Sequence, residues 1–179
     1  MPRFAALPMG LASASLALGL SSTALATPKP PAAAPVTAPA AAPAPSQPPP
    51  QVLPLEAQWC LGSGSCILLE VARTPQQQMW GLQLRPPLKP LRGMLFPFEP
   101  AQPVKFWMHR TPEPLDMVFV RSGQVIAIEA NVPPCMHLPC RSYGPDAPVD
   151  GVIELGAGQA RVLGIQEGSP AIVAPRSHR

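Results

Sequence analysis

The chain is 179 residues long, which suits one folded domain with a moderate core. Its 29 prolines far exceed ordinary usage, and ten of them crowd into Thr27–Pro50 with eight alanines, a stretch that cannot bury a core. The net charge of +3 comes from the ends: with Arg3, Lys29, Arg176 and Arg179 set aside, nine bases face ten acids, and the absence of any basic stripe argues against nucleic acid as a partner.

Residues 1–26 read as a secretory signal. Arg3 supplies a positive start, Phe4–Leu20 an apolar stretch, and Ala24-Leu25-Ala26 a cleavage pattern. Cleavage leaves no transmembrane span. If residues 1–26 are retained, the domain is membrane-tethered instead. Either way the expected location is periplasmic or extracellular, where disulfides persist. Residues 27–50 then form a disordered Pro/Ala-rich linker, 51–174 the folded domain, and 175–179 a disordered tail.

Within the domain, Val52–Leu61 and Cys66–Ala72 flank Gly62-Ser63-Gly64-Ser65, a hairpin signal. Thr74-Pro75-Gln76-Gln77 starts a short helix near 75–82, with Thr74 as N-cap, Pro75 at the first position and Gln77 closing a capping box. Gly81 can end it, and Pro86-Pro87 forbids its continuation. Met79 and Leu82, spaced i and i+3, are expected on one buried face.

Gly93–Asp116 is the most informative stretch. Met94–Phe98 and Val104–Met108 are apolar runs joined by a Pro-bearing turn. In the second run Val104, Phe106 and Met108 point one way, and Lys105, Trp107 and His109 the other. Met117–Val120 is apolar on both faces and suits a central strand. Arg121–Gln124 turns the chain into Val125–Glu129, and a Pro-rich loop with two cysteines follows. Val152–Leu155 is a further strand, Gln159–Gly164 one helical turn, and Ala171–Val173 a last strand. About seven to nine short strands and one short helix predict a mainly β domain, a small sandwich or open barrel.

The residues Val71-Ala72, Thr74-Pro75, Gly81-Leu82, Gly93–Phe96, Phe106-Trp107-Met108, Pro114-Leu115-Asp116, Pro134-Cys135, Pro139-Cys140, Glu154-Leu155 and Leu163-Gly164-Ile165 recur in this order and spacing in a known family. On them, Glu70–Pro170 resembles the family of unknown function DUF192. The resemblance implies a small, mainly β, often exported domain with no established activity. His109-Arg110 departs from the Lys-Asn that commonly follows Trp-Met in that family.

Four candidate chemistries emerge. The four cysteines allow three connectivities, of which Cys60–Cys66 and Cys135–Cys140 are the most economical disulfides. The alternative for the second loop is a soft copper or zinc site from Cys135, His137 and Cys140, with His109 as a further ligand; otherwise no cofactor is expected. Trp107, His109, Arg110 and Asp116 form a candidate binding edge, walled by the Cys135–Cys140 loop, for a small molecule, a glycan or an envelope protein. Asp116 has two further readings: a structural acid satisfying loop amides near Thr111, or the acid of an uncharacterised hydrolase. Glu99, Glu113 and Glu129 are the other acids considered, and nothing in their spacing selects a pair. No nucleophile, phosphate-loop or zinc-protease motif occurs. The leading expectation is therefore a non-catalytic binding module of the cell envelope.

Overall fold

A computed structural model describes residues 49–176; the predicted signal and nearly all of the predicted linker lie outside the described residues. Nine strands and two short helices follow one another in the order β1 (Leu55–Cys60), β2 (Cys66–Val71), α1 (Pro75–Trp80), β3 (Arg92–Gln102), β4 (Phe106–Trp107), β5 (Leu115–Arg121), β6 (Gln124–Val132), β7 (Ser142–Tyr143), β8 (Val149–Gly156), α2 (Gln159–Val162) and β9 (Val173–Pro175). Seven strands make a mixed sheet ordered β6-β5-β8-β3-β2-β1-β9, and β4 and β7 make a small second sheet. Only the β2–β3 pairing is parallel, because α1 carries the chain across between them.

Local chemistry explains several of these elements. The β1–β2 hairpin turns on the expected Gly-Ser segment, and Cys60 faces Cys66 at its end. At α1, the Thr74 hydroxyl accepts from the Gln77 amide at 3.2 Å, while the Gln77 side chain accepts from the Thr74 amide at 3.0 Å. Gly81 ends the helix at φ 50°, a conformation glycine adopts without strain. Here one expectation fails: Leu82 is 4% exposed but Met79 is 64% exposed. The helix stops before Leu82, so the i, i+3 relation no longer places the two side chains on one face.

β8 is the axis of the large sheet, between β3 and β5. Its register lays two rows across the sheet on one face: Phe96, Val152 and Phe119, and beside it Met94, Glu154 and Met117. Over that face lie Leu82, Met108 and partly buried Phe106. Phe106 is a hub, packed edge-on against Phe96 (4.9 Å), Phe119 (6.2 Å) and Phe98 (6.3 Å). Each such pair adds about 0.5–1.5 kcal/mol to ordinary burial. Opposite, Trp59, Ile67, Leu69, Val118, Ile153 and Leu155 form a second cluster with Ala160 of α2.

The two apolar runs of Gly93–Asp116 therefore belong to different layers: Met94–Phe98 lies in the large sheet, and Phe106–Trp107 pairs with β7 in the small one. The alternation expected for the second run holds, with Met108 buried and Trp107 45% exposed. The C-terminal segment ties the two ends of the large sheet. The Val125 amide donates to Ser169 O at 3.0 Å and the Ala171 amide to Gly123 O at 2.8 Å, after which β9 pairs with β1. The sheet is thus curled and laced across its edges without closing as a barrel. The ordered chain runs past residue 174, since the Arg176 amide donates to Glu56 O at 2.8 Å. No described helix is long and apolar enough to cross a membrane.

Candidate functional site

Asp116 is fully buried on β5. Its Oδ1 accepts from the amides of Asn131 (2.8 Å) and Gly158 (3.0 Å), and its Oδ2 from that of Ala160 (2.9 Å). Gly158 is the N-cap of α2 and has no side chain to cap with, so Asp116 caps the helix from a distant strand. The same group holds Asn131, whose φ of 52° is left-handed. The reading of Asp116 as a structural acid is the one its contacts favour, but the amides are these three and not those near Thr111. Three backbone donors occupy most of the roughly four acceptor positions of its two oxygens and hold Asp116 to α2 and to the Asn131 turn.

Of the other three candidates, Trp107 and His109 lie together, while the Arg110 guanidinium is placed against Trp80. The turn after β4 closes through the Thr111 amide on Met108 O at 3.0 Å, with Arg110 at φ 57°. Both sides of this turn are fastened: the Arg110 amide donates to Cys135 O at 2.8 Å, and the Leu84 amide donates to Arg110 O at 2.8 Å. The Cys135–Cys140 loop thus abuts the edge. The Trp107 and His109 rings lie 5.2 Å apart, and the Arg110 guanidinium sits 5.7 Å from the centre of the Trp80 ring.

Between this edge and α1 opens a narrow well of about 30 Å³, lined by Gln78, Trp80, Gln83, Phe96, Phe106, Trp107, His109, Thr111 and, from β8, Glu154. A wider cleft of about 370 Å³ shares Gln78, Met79, Phe106 and Trp107 with it and continues over Phe98, Gln102, Val104 and Lys105, whose ammonium is paired with Asp146. Glu154 is 5% exposed, flanked across the sheet by Met94 and Met117. Its carboxyl makes no recorded hydrogen bond or ion pair with any described residue. Burial among these apolar neighbours pushes its pKa up from 4.5 to about 8, so the group holds its proton at neutral pH. The wholly buried side-chain oxygens and nitrogens of the described residues all have partners, so Glu154's oxygens keep their access through the well.

Glu154 was not among the acids singled out from sequence. The available signal was the one used for Asp116: a lone acid inside an apolar run, here Val152-Ile153-Glu154-Leu155. Of the acids that were considered, Glu99 is exposed, while Glu113 and Glu129 are half-buried. The third buried acid, Glu70, is engaged through one oxygen: its Oε2 lies 2.7 Å from Arg85 and accepts from the Leu53 amide at 2.7 Å.

The sulfurs of Cys60 and Cys66 are bonded, with Cα atoms 4.0 Å apart, as are those of Cys135 and Cys140, at 5.9 Å. These are the two economical pairings. In this state Cys135 and Cys140 have no thiolate to give a metal, and the alternative ligand set with His137 requires that bond to open. Among the described residues no three His, Cys, Asp or Glu side chains are grouped to hold a metal ion.

The profile of the DUF192 family, described as Uncharacterized ACR, matches residues 57–172. Two solved structures are similar to the chain. One is a protein of unknown function from Novosphingobium aromaticivorans, 32% identical, with a TM-score of 0.58, covering 66% of this chain and 83% of that one. The other is a Sinorhizobium meliloti protein provisionally named a transcription regulator, 32% identical, with a TM-score of 0.57, covering 67% of this chain and 92% of that one. No curated protein matches the chain.

Proposed function

The chain belongs to the DUF192 family, and we propose that it is an exported, non-catalytic module that binds a small ligand in the cleft between α1 and β4. One observation carries the reading. Glu154, a buried carboxyl without a recorded hydrogen-bond or ion-pair partner, lies on the well that opens between Trp80, Trp107 and His109. Such a group costs stability unless something meets it, and a ligand that reaches it is the natural compensation. The half-exposed Trp107 gives that ligand an apolar platform at the rim.

Export is supported by the cleavable-signal pattern of residues 1–26 together with two disulfides in a domain of this size. The name of the Sinorhizobium protein raises DNA as a partner. The near-balance of nine bases and ten acids in the domain argues against it. Tryptophan fluorescence and calorimetry against a panel of envelope sugars, amines, amino acids and carboxylates test the proposal. At least one class should bind the wild type and bind Trp107→Ala and His109→Ala at least tenfold more weakly. Binding of every ligand equally by wild type and both variants would sink the cleft as the site.

A further inference from the structure

We infer that the cleft selects ligands with a slender primary ammonium tip, which enters the well and meets Glu154 while the apolar body of the ligand lies in the outer cleft. The inference rests on the cleft being a ligand site and assigns the ligand's chemistry. Size is the first argument. A well of about 30 Å³ has room for a group the size of one water molecule, such as an ammonium, while the adjoining cleft of about 370 Å³ can take an alkyl chain or ring.

The second argument is polarity. Gln78 Nε2 donates to Pro97 O at 2.9 Å and Gln83 Nε2 to Met79 O at 2.9 Å, so both amide N–H₂ groups are engaged. No recorded hydrogen bond from a described residue reaches the Oε1 of either side chain. With Glu154 and the Thr111 hydroxyl, these amide oxygens give a tip with three N–H donors several acceptors to choose from, beside the indole N–H groups of Trp80 and Trp107 and the His109 ring. Its walls also include the rings of Trp80, Trp107, Phe96 and Phe106, whose faces attract a cation. No lysine or arginine lines it. The Arg110 guanidinium lies 5.7 Å from the centre of the Trp80 ring, so that ring already has one cation beside it and Trp107, Phe96 and Phe106 are the rings left to an incoming ammonium.

A neutral Glu154 would ionise when an ammonium arrives, so binding should release a proton. The titratable groups facing it are few: β3 and β5 present Met94 and Met117, α1 and its exit turn present glutamines, and the β4 turn presents His109, with Arg110 beyond it.

The probe is hexylammonium, whose charge, like that of lysine with a pKa of about 10.4, persists through the neutral range. It is titrated calorimetrically into the purified protein beside hexanol and hexanoate at pH 7, in two buffers of different ionisation enthalpy. The expected result is saturable binding of hexylammonium at least tenfold tighter than of either isostere, with proton release. Affinity should rise by about tenfold per pH unit from 6 towards 8. Glu154→Gln should bind at least tenfold more weakly, and His109→Asn should keep the proton release. Should Glu154→Gln not fold, the proton release and pH slope of the wild type decide. Equal binding of hexanol or hexanoate, lost in Trp107→Ala, would overturn the ammonium assignment and leave the cleft standing. Absence of hexylammonium binding, or binding without proton release, would also overturn it, and the wider ligand panel would then judge the cleft separately.

Discussion

Asp116 and Glu154 sit on adjacent strands of one sheet, and both are buried, yet their surroundings are opposites. Asp116 receives three backbone amides, from Asn131, Gly158 and Ala160. Glu154 receives no recorded hydrogen bond from any described residue and lies between two methionines. The difference teaches how to tell a structural acid from an available one. Burial alone does not separate them. The number of donors each carboxyl already has does.

The largest effect should come from breaking the satisfied member. Asp116→Ala leaves the buried Ala160 amide and the partly buried amides of Asn131 and Gly158 without their acceptor; with about 1–3 kcal/mol for a buried donor and less for the other two, a loss of about 2–4 kcal/mol in urea unfolding is expected. A loss below about 1 kcal/mol would mean that water or rearrangement replaces the carboxyl, and the contrast would collapse.

Glu154 should behave with the opposite sign. Its folded-state pKa is raised above its unfolded value, so between pH 4.5 and about 8 the native state holds a proton that the unfolded chain has released. Through that window the group's contribution to stability falls by up to about 1.4 kcal/mol per pH unit, and it levels off above. Wild type should therefore lose stability between pH 5 and 8 relative to Glu154→Gln, which lacks the titration. Parallel pH–stability curves for the two proteins would contradict this.

Smaller effects sharpen the comparison by testing parts that touch only one of the two acids. Removing the Cys135–Cys140 bond in a Cys135→Ser, Cys140→Ser protein should cost about 2 kcal/mol and loosen the turn beside Trp107, while the Asp116 staple is unaffected. Hydrogen exchange at Arg110 and Asn131 reads the two regions separately; equal loss of protection at both would contradict the separation. Thr74→Ala removes the N-terminal cap of α1, the helix whose far end lines the well, with an expected cost of about 1 kcal/mol in thermal or urea unfolding.

What was legible in the sequence was local. The Gly62–Ser65 hairpin, the Thr74–Gln77 capping box and both disulfides are set by residues a few positions apart, and each appears where the residue chemistry places it. The alternation of Val104–Met108 likewise survives, because a two-residue period does not depend on which strand is the partner. Met79 misled because the helix ends at Trp80, two residues short of the span read from sequence, so Leu82 is no longer its helical neighbour. The partners of Asp116 lie 15, 42 and 44 residues further along the chain, and no spacing rule brings them together. The well needed four separate segments to meet: residues 78–83, Phe96 of β3, residues 106–111 and Glu154 of β8. Trp107 and His109 could be read as its rim, but its deepest polar group could not, since a lone glutamate in an apolar strand shows its lack of partners only when the neighbours are in place.

The most direct test is a titration of the Glu154 carboxyl itself, by carbon NMR of side-chain-labelled glutamate in wild type and Glu154→Gln. The resonance that disappears in the variant should titrate with a midpoint near 8. A midpoint near the ordinary glutamate value of about 4.3 would place a solvated or partnered carboxylate there, and the account of the well as a ligand site built on Glu154 would be wrong.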